Sequence, residues 1–141
     1  MRPPPGAVPE NAGHIDLARN DVGQAIEHFE QGVLLLPYQH QAGPENHAVF
    51  YNSLAYAYYL SDEIGKAQEW YEDILELTTG RLGAGMTYAE SHYMLGQIYE
   101  RRGMNLEAIR SYQAFLDLWR EADSTAPDIE EAKSALANLL D

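Results

Sequence analysis

Residues 95–112 read LGQIYERRGMNLEAIRSY, and the order of small, aromatic and turn-forming residues in this stretch occurs three times in the chain. The other two copies are residues 54–71, LAYAYYLSDEIGKAQEWY, and residues 12–29, AGHIDLARNDVGQAIEHF. The equivalent alanines Ala25, Ala67 and Ala108 lie 42 and 41 residues apart. A repeat of this length is typical of stacked helical hairpins, in which each unit packs on its neighbours.

Each copy has helical spacing of its apolar residues on both sides of a short turn. The turns are Asn20-Asp21, Ser61-Asp62 and Gly103. Since no segment alternates with the two-residue period of a strand, we predict an all-α chain. The helix pairs are expected over residues 10–37, 45–78 and 87–121, and a seventh helix over residues 127–140. Asp21 with Gln24, and Thr87 with Glu90, have the spacing of N-terminal capping boxes.

The repeated pattern resembles the tetratricopeptide repeat. A small residue follows an aliphatic one, an aromatic residue comes three positions later, and an alanine precedes a second aromatic residue by four positions. The best copy contains Leu95-Gly96, Tyr99, Gly103, Ala108 and Tyr112. The resemblance implies a right-handed helical-hairpin solenoid of three repeats with a C-terminal capping helix, spanning residues 10–141 after a flexible Pro-rich lead-in over residues 1–9. The C-terminal part also resembles the ends of repeat arrays in bacterial multidomain proteins.

The pattern assigns packing roles and shows three departures. Gly13, Ala55 and Gly96 should let paired helices approach, while Phe29, Tyr71 and Tyr112 should fill the space between one pair and the next. The family period is about 34 residues, so the copies here are longer, with the additional residues at the Gly- and Pro-containing junctions. Asp16 replaces the tyrosine of the other copies, which predicts a short, loosely held first helix. Asn105 replaces an aliphatic residue, with Leu106 one position late, which predicts a local shift of the sixth helix.

Composition excludes several classes of function. The chain has 9 Lys and Arg against 22 Asp and Glu, for a formal net charge of −13, which disfavours nucleic acid and anionic membranes as partners. It has no cysteine, and its longest aliphatic run, residues 33–36, is too short to span a bilayer. With no signal-peptide pattern in the first twenty residues, we expect a cytoplasmic protein.

No sequence pattern predicts catalysis. The five histidines lack metal-ligand spacing, and the glycines of residues 80–85 lack the lysine and hydroxyl residues of a phosphate-binding loop. The carboxylates Glu69, Glu72, Asp73 and Glu76 are expected to form a solvated helix face. We therefore expect no enzymatic activity, no metal and no cofactor.

The chain has ten tyrosines, and the packing pattern of the repeats does not account for all of them. Tyr56, Tyr59 and Tyr93 occupy positions that the packing pattern does not require. Two helical faces contain them, and the resemblance places both in the concave groove of the array. The nominated residues are Asn52, Tyr56, Tyr59, Tyr93, Gln97 and Arg101.

Tyrosine suits peptide recognition because it combines a flat apolar ring with a hydrogen-bonding hydroxyl. We therefore expect a non-enzymatic module that binds a protein or peptide of neutral to basic character. The alternative is a structural module, either a homo-oligomer or a spacer, in which the tyrosines cover a self-association surface. A peptide with an acidic C-terminal tail is a disfavoured ligand, because the groove faces have few cationic side chains to hold carboxylates. They contain Glu10, His14, Asn52 and Glu90, and Arg101 is their positively charged residue.

Overall fold

A computed structural model describes residues 9–34, 44–76, 85–119 and 127–141 of the chain. Every regular element within these ranges is an α-helix, as the sequence predicts. The seven helices are α1 Pro9–Ala18, α2 Val22–Leu34, α3 Pro44–Leu60, α4 Ile64–Glu76, α5 Gly85–Arg101, α6 Asn105–Leu118 and α7 Pro127–Leu140. The contacts divide the chain into an N-terminal unit, Met1–Ala84, and a C-terminal unit, Gly85–Asp141.

The N-terminal unit is built from two helical hairpins. Helix α1 packs on α2, α3 packs on α4, and the hairpins meet mainly through α2 and α3, with a smaller contact between α1 and α3. Repeat positions form its core: Ala25, Phe29, Leu54, Ala55, Ala67 and Tyr71 are all at most 1% exposed. Burial of this apolar face, more than intrinsic helix propensity, stabilises helices as short as α1.

Small residues bring paired helices together, as predicted, and the structure shows what they pack against. A Cβ atom built on Gly13 would lie 2.5 Å from Cε1 of Phe29, and one built on Gly96 would lie 2.7 Å from Cε1 of Tyr112. These rings therefore lie against the glycine of their own pair. We expected these rings to fill the space between one pair and the next, and that expectation omitted their contact with the glycine. The contact explains why a residue without a side chain occurs at positions 13 and 96.

The turns inside the three pairs have the same backbone geometry. Asn20, Asp62 and Gly103 have φ angles of 63°, 68° and 75°. The N–H of each following residue donates to the carbonyl five positions earlier: Asp21 to Asp16 at 2.8 Å, Glu63 to Tyr58 at 3.0 Å and Met104 to Tyr99 at 2.8 Å. This is the Schellman arrangement, which satisfies the last carbonyls of a helix and favours Gly or Asn at the left-handed position.

The C-terminal unit contains one hairpin, α5 with α6, and helix α7, which packs on α6. Its core includes Tyr93, Ala108, Tyr112, Phe115 and, from α7, Ile129 and Ala132. Ala135, Leu136 and Leu139 pack partly against this core. The exposed positions of α7 are mostly polar, among them Asp128, Glu130, Lys133 and Asn138. This distribution is the one expected for a capping helix.

The helix starts show where local sequence signals were reliable. Oδ1 of Asp21 accepts a hydrogen bond from the backbone N–H of Gln24 at 3.2 Å, as its capping position predicts. Helix α5 begins at Gly85, so Thr87 lies within its first turn. The predicted shift of the sixth helix is wrong: α6 begins at Asn105, in register with Val22 and Ile64. Leu106 is accommodated by being 55% exposed.

Several predictions fall outside the described residues. They concern the lead-in up to residue 8, the junctions at residues 35–43 and 77–84, and the turn at residues 120–126. The prediction of one domain over residues 10–141 stays a prediction. In the part of the chain that is described, no helix combines the length and apolar character required to cross a membrane.

Candidate functional site

The predicted tyrosine face of the N-terminal unit lies on α3. Tyr56 is 43% exposed, and Asn52 and Tyr59 are half-buried. The three residues are spaced by four and three positions, which places them on one side of the helix. Their neighbours Leu54, Ala55 and Ala57 are fully buried. Tyr56 therefore presents its ring to solvent from a backbone that the core holds rigidly.

Two further apolar side chains, which the sequence analysis missed, extend this surface. Val49 is 43% exposed and Leu60 is 45% exposed. At 100° per residue, Val49, Asn52, Tyr56, Tyr59 and Leu60 fall within an arc of about 100°. These five residues are called the α3 face below. Apolar residues occur all round α3, so their spacing alone could not separate the exposed apolar stripe from the buried one.

Helix α1 borders the α3 face at His14. Nε2 of His14 lies 3.4 Å from Oγ of Ser53, a residue of α3 that is 6% exposed. The His14 ring also packs edge-on against Phe29, with ring centroids 5.1 Å apart. The contact with Ser53 joins α1 to α3, which carries the candidate site, and the contact with Phe29 joins α1 to α2.

Tyr58 has a structural role on the opposite, buried side of α3. Its hydroxyl donates to a carboxylate oxygen of Glu30, which ties α3 to α2. Burial, followed by the hydrogen bond and the negative charge of Glu30, raises the pKa of Tyr58 well above its ordinary value. Nζ of Lys66 lies 5.3 Å from the centre of the Tyr58 ring and 3.1 Å from Oε1 of Glu63. A protonated phenol held in this way supports the helix and is not available as a base.

In the C-terminal unit, the expectation that packing does not require Tyr93 is wrong. Tyr93 is 7% exposed and belongs to the core of that unit. Its hydroxyl donates to a carboxylate oxygen of Glu131 on α7 and accepts a hydrogen bond from Nε2 of Gln97 at 2.8 Å. Its ring centroid lies 5.2 Å from that of Phe115 and 6.3 Å from that of Tyr112, both on α6, and its hydroxyl reaches α7. No local signal in residues 85–101 indicates this packing.

The other two nominated residues of α5 differ in exposure. Gln97 is half-buried and is oriented by its bond to the Tyr93 hydroxyl, whereas Arg101 is exposed at the last turn of the helix. Glu90, on the same helix, has a pKa raised first by burial and then by the charge of Asp128 on α7. The C-terminal unit therefore carries both signs of charge near the nominated residues.

His28 forms a short polar contact with Asp16. Nδ1 of His28, on α2, donates to Oδ2 of Asp16, on α1, at 2.5 Å. The side chains are 9% and 13% exposed. The pair connects the two helices of the first hairpin at the position where the tyrosine of the other copies is missing. It acts as a structural contact, and the first helix is better held than the departure at Asp16 predicts.

The described residues contain no group of three or more His, Cys, Asp or Glu side chains that could hold a metal ion. The carboxylates of α4 are exposed or half-buried along one helix, as expected. Burial, and then the charges of Glu76, Glu69 and Glu72, raise the pKa of Asp73. What the geometry offers is an apolar and aromatic face on α3 with acidic groups elsewhere on the unit.

Comparisons with known proteins agree with this fold. Residues 89–118 match the sequence profile of the family described as tetratricopeptide repeat. The chain resembles one from the crystal structure of the APC/C hetero-tetramer Cut9-Hcn1, with a TM-score of 0.73 and 20% identity, over 94% of this chain and 23% of that chain. The comparison with curated proteins gave no sequence match.

Two solved structures resemble the chain over nearly their whole length. The first TPR of Spaghetti (RPAP3), bound to the HSP90 peptide SRMEEVD, has a TM-score of 0.70 at 18% identity, covering 95% of this chain and 92% of that one. The N-terminal domain of stress-induced protein-1 (STI-1) from C. elegans has a TM-score of 0.69 at 16% identity, covering 90% and 91%. The helix pairs and their repeated turns therefore have the fold of tetratricopeptide-repeat proteins, and the third repeat also matches the sequence profile of that family.

Proposed function

We propose that this protein is a non-enzymatic interaction module that binds a polypeptide on the α3 face. The observation that carries the proposal is the exposure of Val49, Tyr56 and Leu60 on one side of a helix whose other side is largely buried. An exposed aromatic ring with flanking aliphatic side chains, held on a rigid helix, has the properties of an interface anchor.

The structural neighbours support this class of function. One of them is bound to a peptide of HSP90, and its resemblance extends over 95% of the chain described here. Asn52 and the hydroxyls of Tyr56 and Tyr59 would supply hydrogen bonds to a bound backbone, while the rings supply apolar contact. We include Gln97 and Arg101 as the corresponding residues of the C-terminal unit, with Tyr93 as the buried residue that orients Gln97.

Self-association is the second candidate function. It is favoured by apolar side chains that are exposed elsewhere, Ile15 at 46% and Leu106 at 55%. A homo-oligomer would cover one or more of these positions with a second copy of the chain. Self-association raises the solution mass of the purified chain, whereas binding a different polypeptide does not.

The test combines partner capture with mass measurement. The wild-type chain and the variants Tyr56→Ala and Leu106→Ala would be used to recover partners from a lysate of the source organism, and their masses measured by light scattering. We expect one or more partners, identified by mass spectrometry, to be lost with Tyr56→Ala and kept with Leu106→Ala. If Tyr56→Ala instead lowers the mass of an oligomer without losing a partner, the α3 face is a self-association surface. Equal recovery and equal mass for all three proteins would contradict both candidates.

A further inference from the structure

The α3 face has no formally charged side chain. Its five residues are aliphatic, aromatic or amide, and α3 as a whole contains neither Lys nor Arg. The face therefore offers apolar area and hydrogen bonds but no cation to hold a carboxylate. Any charge selectivity of the site must come from the side chains around it.

The N-terminal unit that carries the face is acidic as a whole. The described part of the N-terminal unit contains two Lys or Arg residues, Arg19 and Lys66. Lys66 already binds Glu63 at 3.1 Å. The carboxylates of the same ranges are far more numerous: Glu10, Asp16, Asp21, Glu27, Glu30, Glu45, Asp62, Glu63, Glu69, Glu72, Asp73 and Glu76.

The pKa of Asp73, on α4 of this unit, is raised. Burial contributes most, and the remaining contribution comes from three carboxylates on the same helix. With a formal net charge of −13 on the chain, a basic ligand would be steered toward the protein and an acidic ligand repelled.

We propose that the occupant of the α3 face is a polypeptide segment that places at least two apolar side chains against Tyr56 and Leu60 and carries Lys or Arg on both sides of them. This inference rests on the proposed function, since it names the partner class of the same face. It separates this chain from its structural neighbour, whose bound HSP90 peptide SRMEEVD has three acidic side chains and one Arg.

The test uses defined probes and the full chain. Val49 and Leu60 are separated by about 16 Å along α3, so a peptide of about 12 residues can follow the face in helical or extended form. Probe one has two Leu residues separated by two positions, with Lys and Ser elsewhere. Probe two has Glu in place of every Lys, probe three has Ser in place of both Leu, and SRMEEVD is the fourth. Binding of fluorescent versions is measured by anisotropy.

We expect the Lys probe to bind at least about ten-fold more tightly than the Glu probe at low ionic strength. The ratio should fall as salt is added, because the screening length shortens from about 30 Å at 0.01 M to about 8 Å at 0.15 M. Replacing the two Leu residues should weaken binding about ten-fold, and so should Tyr56→Ala or Leu60→Ala. Leu106→Ala, which removes an exposed apolar side chain outside the face, should leave affinity unchanged. Circular dichroism of each variant verifies that it remains helical.

The outcomes separate the partner class from the site. If the Glu probe or SRMEEVD binds more tightly and Tyr56→Ala weakens that binding, the face is a binding site and the proposed basic partner is wrong. If the Lys probe binds but neither Tyr56→Ala nor Leu60→Ala weakens it, the attraction is unspecific and both proposals fail. Failure of every probe to bind at millimolar concentration overturns the basic partner class, while the capture experiment still decides the proposed function.

Discussion

Replacing Gly13 with Ala should destabilise the first hairpin, although the same substitution at Gly23 should stabilise it. Both glycines lie in helices of the same pair. A Cβ atom at position 13 would lie 2.5, 2.7 and 2.8 Å from three carbons of the Phe29 ring, whereas one at position 23 would have no atom within 4 Å. Ordinary carbon–carbon contacts are about 3.5–4.0 Å, so the ring would have to withdraw by about 1 Å.

The magnitude follows from two opposing effects. Alanine is favoured over glycine in a helix by about 0.5–1 kcal/mol, and this is the whole effect expected for Gly23→Ala. At position 13 the added methyl group overpacks a core in which Phe29 is fully buried, which costs about 1–3 kcal/mol. The net loss for Gly13→Ala should be about 1 kcal/mol. The free energies of unfolding of the two variants should therefore differ by about 1–3 kcal/mol.

Thermal and urea unfolding followed by circular dichroism would measure this difference. A third variant, Phe29→Leu, and its combination with Gly13→Ala complete a double-mutant cycle. Because Leu lacks the ring, Gly13→Ala should cost less in that background, and the coupling should be about 1 kcal/mol or more. If Gly13→Ala stabilises the chain as much as Gly23→Ala does, the ring does not lie against Gly13 and the explanation for the repeated glycine is wrong.

Three further predictions concern the helix turns, the Tyr93 hydroxyl and the Glu90 carboxylate. Gly103→Ala should cost about 1–2 kcal/mol of unfolding free energy, because Gly103 has a φ of 75°, which disfavours any residue with a Cβ atom. Asp62 has a φ of 68°, so Asp62→Gly should stabilise its turn. Melting temperatures equal to that of the unchanged chain would contradict this reasoning. Tyr93→Phe should cost about 1–2 kcal/mol, since it leaves Glu131 without its buried donor, and unchanged stability would place the hydroxyl in water. The pKa of Glu90 is raised in the folded chain. Glu90 therefore costs no stability at a pH below the ordinary glutamate pKa, and the folded chain loses stability as the pH rises through the raised pKa. Glu90→Gln should therefore raise the melting temperature at pH 7 and have little effect at pH 3.5; the reverse order would contradict the assigned cause.

The repeated positions were predictable because their physical requirements are local. A turn that needs a left-handed residue selects Asn, Asp or Gly, and the chain has Asn20, Asp62 and Gly103 at equivalent positions. Close helix pairing selects small residues, which explains Gly13 and Gly96. Each requirement involves a few residues near in sequence, so it recurs in every copy and is visible as a period.

The candidate site was less predictable because exposure depends on what packs nearby. Asn52 and Tyr93 are equivalent in the repeat, yet Asn52 is half-buried whereas Tyr93 is in the core, because α7 supplies Glu131 and apolar residues there. The sequence ranks both as groove positions. Val49 and Leu60 were missed for a related reason, since the spacing of apolar residues on α3 does not indicate which stripe its neighbours cover.

The Asp16–His28 pair shows how two departures from a repeat can be one structural feature. Asp16 takes the position of Tyr58 and Tyr99, and His28 takes that of Trp70 and Ser111. Taken separately, the first predicts a weak helix and the second an incidental histidine. In the structure they meet at 2.5 Å, and the contact replaces the missing aromatic packing by a charge-assisted hydrogen bond between α1 and α2. A repeat pattern identifies the positions that differ, but only the packing of the helices shows that one difference compensates for the other.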